Sequence, residues 1–210
     1  MKQITLSILL FLFLSCVQKR EQNNLAKSWN ITLADSSSKL SMFLPSNYDT
    51  LLIWTHYQCG IPYYEIRLQD KSFPIHEEGG FYDPGIPSRK YQITFEQMLR
   101  TKPRILPTRE EIIERHNGEV ENAVNNPQAV QTQYDTLLLL PNATYSIFAN
   151  CYHDVKNKGY MQIVTTTVST SQSFITITFE KSSINYPLDR SAFVNECIDI
   201  LKTMKFSNGA

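Results

Sequence analysis

The chain has 210 residues, 42% of them hydrophobic, with 20 basic and 20 acidic side chains and a net charge of zero. This balance excludes the basic excess that binding to a phosphate backbone needs, so no nucleic acid partner is expected. The length fits a single domain with a substantial core.

The first segment, MKQITLSILLFLFLSCVQKR, carries Lys2, then an apolar run from Ile4 to Leu14, then Ser15-Cys16. A run of eleven residues, nine of them apolar, is too short to cross a bilayer, which takes about 20. A basic start, a short apolar run and a small residue before a cut have the form of an export signal. An ordinary cleavage site has an A-x-A-like pattern. Here a cysteine follows the small residue instead, and the segment resembles a bacterial lipoprotein signal, in which that cysteine becomes the lipid-bearing first residue. Phe13 stands where the motif usually has Leu, a looser form found in lipoproteins of the Bacteroidota type. The resemblance implies a signal peptide over residues 1–15 and lipid attachment at Cys16. Residues 16–28 (CVQKREQNNLAKS) are then a lipidated tether, polar and without periodicity. Residues 29–210 form the domain. Removing Lys2 leaves a net charge of about −1. No second apolar stretch is long enough to span a membrane, so lipid is the expected anchor.

Within the domain, Phe43-Leu44-Pro45-Ser46-Asn47-Tyr48-Asp49 reads as a strand end entering a turn. Leu51–Tyr57 reads as a strand. Tyr63–Gln69 alternates, with Tyr64, Ile66 and Leu68 opposite Glu65, Arg67 and Gln69. Gln58–Pro62 between them is a hairpin turn. Residues 74–90 hold several Gly and Pro and read as an irregular surface loop. Thr94 with Gln97 makes a capping-box pattern, which predicts a short helix through Met98-Leu99 ended by Pro103. Thr108 with Glu111 makes another, predicting a surface helix with Ile112 and Ile113 as its apolar face and a stop at Asn117-Gly118. Residues 119–133 read as a loop.

The last third alternates most clearly. Tyr134–Leu140, Tyr145–Tyr152, Tyr160–Val168 and Phe174–Glu180 predict an antiparallel meander. Asp189 opens a helix whose apolar side is Phe193, Cys197, Ile198, Leu201 and Met204, with Lys202 and Lys205 near its end. Such a helix should lie across the sheet. The expected class is α+β: an antiparallel sheet flanked by helices, with the C-terminal helix packed on it. The FLPSNYD turn, the meander and the ILKTMKF ending resemble the PsbP-like sandwich fold, shared by DcrB-type bacterial lipoproteins and a nuclear import factor. That resemblance implies an accessory or binding protein and assigns no functional residue.

Chemistry centres on four residues. His56 and Cys59 near one turn, and Cys151 and His153 on one strand, make a donor set suited to zinc, although the spacing is not that of a structural zinc site. Cys59 with His56 or His153 as base would make a thiol nucleophile. Export also makes a Cys59–Cys151 disulfide chemically permissible. Cys197 reads as a buried small hydrophobe. Neighbouring carboxylates such as Glu77-Glu78 and Glu110-Glu111 face different ways. There is no G-x-S-x-G, no H-E-x-x-H and no phosphate loop.

The expected role is therefore a non-catalytic, lipid-anchored envelope protein on the periplasmic side of the outer or inner membrane. It would act as a protein-binding or accessory lipoprotein, toxin immunity being one version, and no cofactor is expected. The alternative is a thiol-dependent hydrolase or zinc-binding module around His56, Cys59, Cys151 and His153.

Overall fold

Alternation runs through much of this sequence, and the described residues form ten strands. The computed structural model describes residues 26–33, 38–71, 90–98, 107–125, 134–154, 159–169, 174–183, 185 and 190–208. The strands are β1 (Lys27–Thr32), β2 (Ser38–Leu44), β3 (Thr50–Gln58), β4 (Ile61–Gln69), β5 (Lys90–Met98), β6 (Tyr134–Leu140), β7 (Ala143–Asp154), β8 (Gly159–Ser169), β9 (Phe174–Ser183) and β10 (Lys205–Asn208). Among the described residues two helices accompany them, α1 (Arg109–Asn125) and α2 (Arg190–Thr203).

All strand pairs are antiparallel and fall into two sheets. One has the order β1-β2-β10, the other β3-β4-β5-β9-β8-β7-β6. The large sheet joins two meanders, β3-β4-β5 and β6-β7-β8-β9, and the seam is the β5–β9 pair. There Ile93 faces Phe179 and Phe95 faces Ile177. The α+β class with a C-terminal helix on the sheet is the fold observed.

Period 2 sends one face of the large sheet into the core and the other away from it. Ile66, Leu68, Ile93, Phe95, Tyr145, Ile147, Val164 and Ile177 belong to one apolar cluster, together with Leu40, Met42 and Leu44 of β2. The helix α2 lies between the sheets, touching β2 and β8, and adds Phe193, Cys197 and Leu201 to that cluster. The helix α1 packs on β6 and β7 from the opposite face. There it meets Ser146 and Phe148, the residues that alternate with core-facing Tyr145 and Ile147.

Several sequence expectations change. No helix starts at Thr94: Lys90–Met98 is a strand bonded on both sides. Ile93 and Phe95 at period 2, with β4 and β9 as partners, outweigh the local capping pattern. The Thr108–Glu111 capping box does form. The Thr108 amide donates to Glu111 Oε2 at 2.7 Å, and the Glu111 amide donates to Thr108 Oγ1 at 3.2 Å. But α1 runs through Asn117-Gly118 to Asn125, so residues 119–125 are helix rather than loop. Nor does α1 lie loosely on the surface, since Ile112 and His116 are buried.

The chain after α2 adds β10, a strand the helical pattern concealed; Lys205 belongs to it and not to the helix. Lys27 and Ser28 already belong to β1, so the domain starts inside the expected tether. The hairpin turn narrows to Cys59-Gly60, both with positive φ, 50° and 78°. Two such residues make the turn type that suits the twist of a β-hairpin. The export signal, Cys16, residues 72–89 of the irregular loop, Pro103 and residues 126–133 lie outside the described residues.

Candidate functional site

The four residues singled out by their chemistry do not come together. His56 lies in β3, paired along the backbone with Tyr63, and exposed Cys59 sits in the turn that follows. Cys151 and His153 lie on β7, paired with Gln162 and Tyr160. Between β3 and β7 stand β4, β5, β9 and β8. Five strand intervals of about 4.8 Å put the two halves roughly 24 Å apart. Cys59, Cys151 and Cys197 are all thiols. The Cys59–Cys151 disulfide is not formed, because a bridge needs Cα atoms within about 7 Å. Among the described residues no group of three or more His, Cys, Asp or Glu gathers to hold a metal. Sequence spacing reveals thiol count and local pairs but not strand order, and strand order separates these.

Cys151 instead borders a crevice of about 200 Å³ between the core-side faces of β6, β7 and β8 and the first turn of α2. Tyr134 and Ala149 form one wall with Cys151, Gln162 and Val164 another, and Phe193 of α2 closes the far side. Gln162, 5% exposed, is the polar side chain on the β8 wall. Three elements far apart in the chain build this concavity, so no motif announces it.

A second constellation also escaped the sequence. His116 of α1 is buried, with Nδ1 2.9 Å from Ser146 Oγ and Nε2 3.6 Å from Asp135 Oδ1. Its ring lies over Phe148, centroid to centroid 4.8 Å. One tautomer satisfies both ends: Nε2–H faces the carboxylate and the Ser146 hydroxyl donates to Nδ1. Ser, His and Asp are the residues of a hydrolytic triad, but Ser146 is buried beneath the helix. A nucleophile must reach a substrate carbonyl. Here the group fastens α1 to the sheet. Arg109 supports the same contact, donating from Nε to Thr144 Oγ1 at 3.1 Å and from Nη2 to the Leu140 carbonyl.

Three further polar groups of the described residues, Arg67, Cys197 and Tyr145, are occupied or buried. Arg67 pairs with Glu65 at 3.2 Å, and its guanidinium lies 4.8 Å from the Trp54 ring. Burial first, and Glu196 second, push the Cys197 thiol well above its usual range, so it stays protonated and inert. Burial pushes the Tyr145 hydroxyl up as well.

The last feature is an edge. β3 ends the large sheet, and its Ile53 and Tyr57 are 50% and 74% exposed. By register they share a face with Ile66 and Leu68, but the small sheet and α2 do not cover them. Ile61, just past the turn, is also exposed. Comparison with protein-family models, with curated proteins and with solved structures finds no match.

Proposed function

We propose that this chain is a non-catalytic, lipid-anchored protein of the cell envelope that binds a protein partner along the β3 edge. One observation carries the reading: Ile53 and Tyr57 stand exposed on a strand that, among the described residues, is the edge of the large sheet. A nine-residue strand at a sheet edge presents backbone donors and acceptors at regular spacing, and natural proteins usually blunt such edges with charge or proline. β3 carries Leu51, Leu52, Ile53, Trp54 and Tyr57 and neither device. An extended partner segment adding as an antiparallel strand would satisfy the backbone groups and cover Ile53 and Tyr57. Ser15-Cys16 at the end of the apolar run supports the anchor. The roughly 24 Å between Cys59 and Cys151 weighs against the thiol or zinc alternative.

Two variants of the membrane-extracted protein test the edge. Ile53→Lys places a charge on β3, and Leu139→Lys places one on exposed Leu139 of the far edge strand β6. A partner that co-purifies with the parent chain should be lost with Ile53→Lys and kept with Leu139→Lys. Retention by Ile53→Lys overturns the reading.

A further inference from the structure

We infer that the strand which pairs with β3 is the β3 of a second copy of this chain, related to the first by a two-fold axis through Thr55. The inference rests on the binding role proposed for the β3 edge and names its occupant.

Symmetry makes a strict demand on such an edge. Across a two-fold axis residue i meets residue j of the partner copy, and j meets i. Residues directly opposed in an antiparallel pair lie on the same face of the sheet. The axis therefore passes through a residue, and the choice of that residue sets the register. Ile53, Thr55 and Tyr57 share one face of β3, and all three are exposed. With the axis through Thr55, Ile53 of each copy faces Tyr57 of the other, and residues 52–58 pair along the seam. Each apolar side chain that a lone chain leaves in water is then covered. Aromatic residues opposed to β-branched ones are favourable cross-strand pairs, and so are two threonines. Neighbouring axes match the residues less well. An axis through Ile53 places Tyr57 opposite charged Asp49. An axis through Trp54 places it opposite Leu51, which already packs on the core.

Charge points the same way. Among the described residues the two sheets have four edge strands, and three of them carry a charge: Lys27 in β1, Asp135 in β6 and Lys205 in β10. Thr50–Gln58 holds no Asp, Glu, Lys or Arg, so β3 laid against its own copy brings no like charges together. A foreign strand would have to carry its own apolar pair at the matching spacing, whereas a second copy carries it by construction. The seam is short beside the roughly 20–30 residues a side of a standard interface. The association is therefore a weak one, and a covalent trap suits it.

The full chain with Cys59→Ser, which removes the exposed turn thiol, is the parent for the test in cell envelopes. Thr55→Cys sets each new thiol opposite its own copy, with Cα atoms about 4.5–5.5 Å apart and within bridging range. Oxidation with copper-phenanthroline should convert most of this chain to a disulfide dimer on a non-reducing gel. Ile53→Cys lies four residues from its own copy along the seam, about 13 Å. Alone it should stay monomeric, yet it should bridge to Tyr57→Cys when the two chains are co-expressed. A charge exchange checks the same axis without thiols and guards against a misfolded variant. Thr55→Lys and Thr55→Glu, each carried on two differently tagged chains, should not co-purify with themselves, and the Lys and Glu chains should co-purify with each other. No bridge in Thr55→Cys, equal bridging by Ile53→Cys alone, or no recovery in the Lys–Glu pair each overturns the two-fold seam. If that happens while Ile53→Lys still releases a co-purifying protein, a foreign strand occupies the edge and the binding role stands. If Ile53→Lys releases nothing as well, both fall.

Discussion

The two helices grip opposite faces of one sheet by different chemistry. The helix α2 presents Phe193, Val194, Cys197, Ile200 and Leu201, each 5% exposed or less, to β2 and β8. Its attachment is apolar area, which is large and indifferent to angle. The helix α1 has a mostly polar sequence and buries chiefly Ile112 and His116 among its described side chains. Its attachment is a set of directed bonds: His116 to Ser146, Arg109 to Thr144 and to the Leu140 carbonyl. Each such bond contributes about 1 kcal/mol net, but each fixes a position. Area holds α2 down, and geometry sets where α1 sits.

The sharpest way to break this comparison is to cut each grip. Leu201→Ala removes a fully buried side chain from between two sheets and leaves a cavity. The expected loss is about 3 kcal/mol, read as a lower urea midpoint with an unchanged slope. His116→Ala should cost less, about 2 kcal/mol, part of it because the Ser146 hydroxyl is left buried without its partner. That part should return in the double variant with Ser146→Ala, since neither polar group then remains. If His116→Ala costs as much as Leu201→Ala and the second change recovers nothing, α1 is held by area like α2.

The same contrast explains what the sequence disclosed. Apolar residues at helical spacing announced α2, and period-2 alternation announced β7 to β9, because burial leaves a periodic trace. The start of α1 was legible at Thr108 and Glu111 because a capping box is closed within four residues. Its end was not, since Asn117-Gly118 carries a stop signal that the packed helix overrides. β5 was misread because Thr94 and Gln97 match a local motif, whereas the pairing that decides the matter comes from β4 and from β9, some 80 residues away. The crevice is less legible still: Tyr134, Cys151, Gln162 and Phe193 converge only once the strand order exists. His116 and Ser146 are 30 residues apart, and neither carries a signal alone.

The smallest effect concerns a charge on the apolar helix. Glu196 lies on α2, partly buried, and burial raises its carboxyl pKa from the usual value near 4.5, with Lys181 pulling it partway back. A raised value means that the folded chain holds this proton more tightly than the unfolded chain does. Well below 4.5 both states are protonated, and the charge costs the fold nothing. As pH rises through that value the unfolded chain ionises first, and stability falls until the pH passes the folded-state pKa. Above that window the loss is complete, so at pH 7 Glu196 works against the fold. Glu196→Gln keeps the shape and removes the charge. It should raise the urea midpoint at pH 7 and leave it close to that of the parent at pH 4. Lys181 loses an opposite charge in the exchange, but burial is the larger cause of the shift, so the sign should stand. A lower midpoint at pH 7 would mean that the attraction between Glu196 and Lys181 outweighs burial. In that case α2, like α1, would owe part of its position to a directed polar contact.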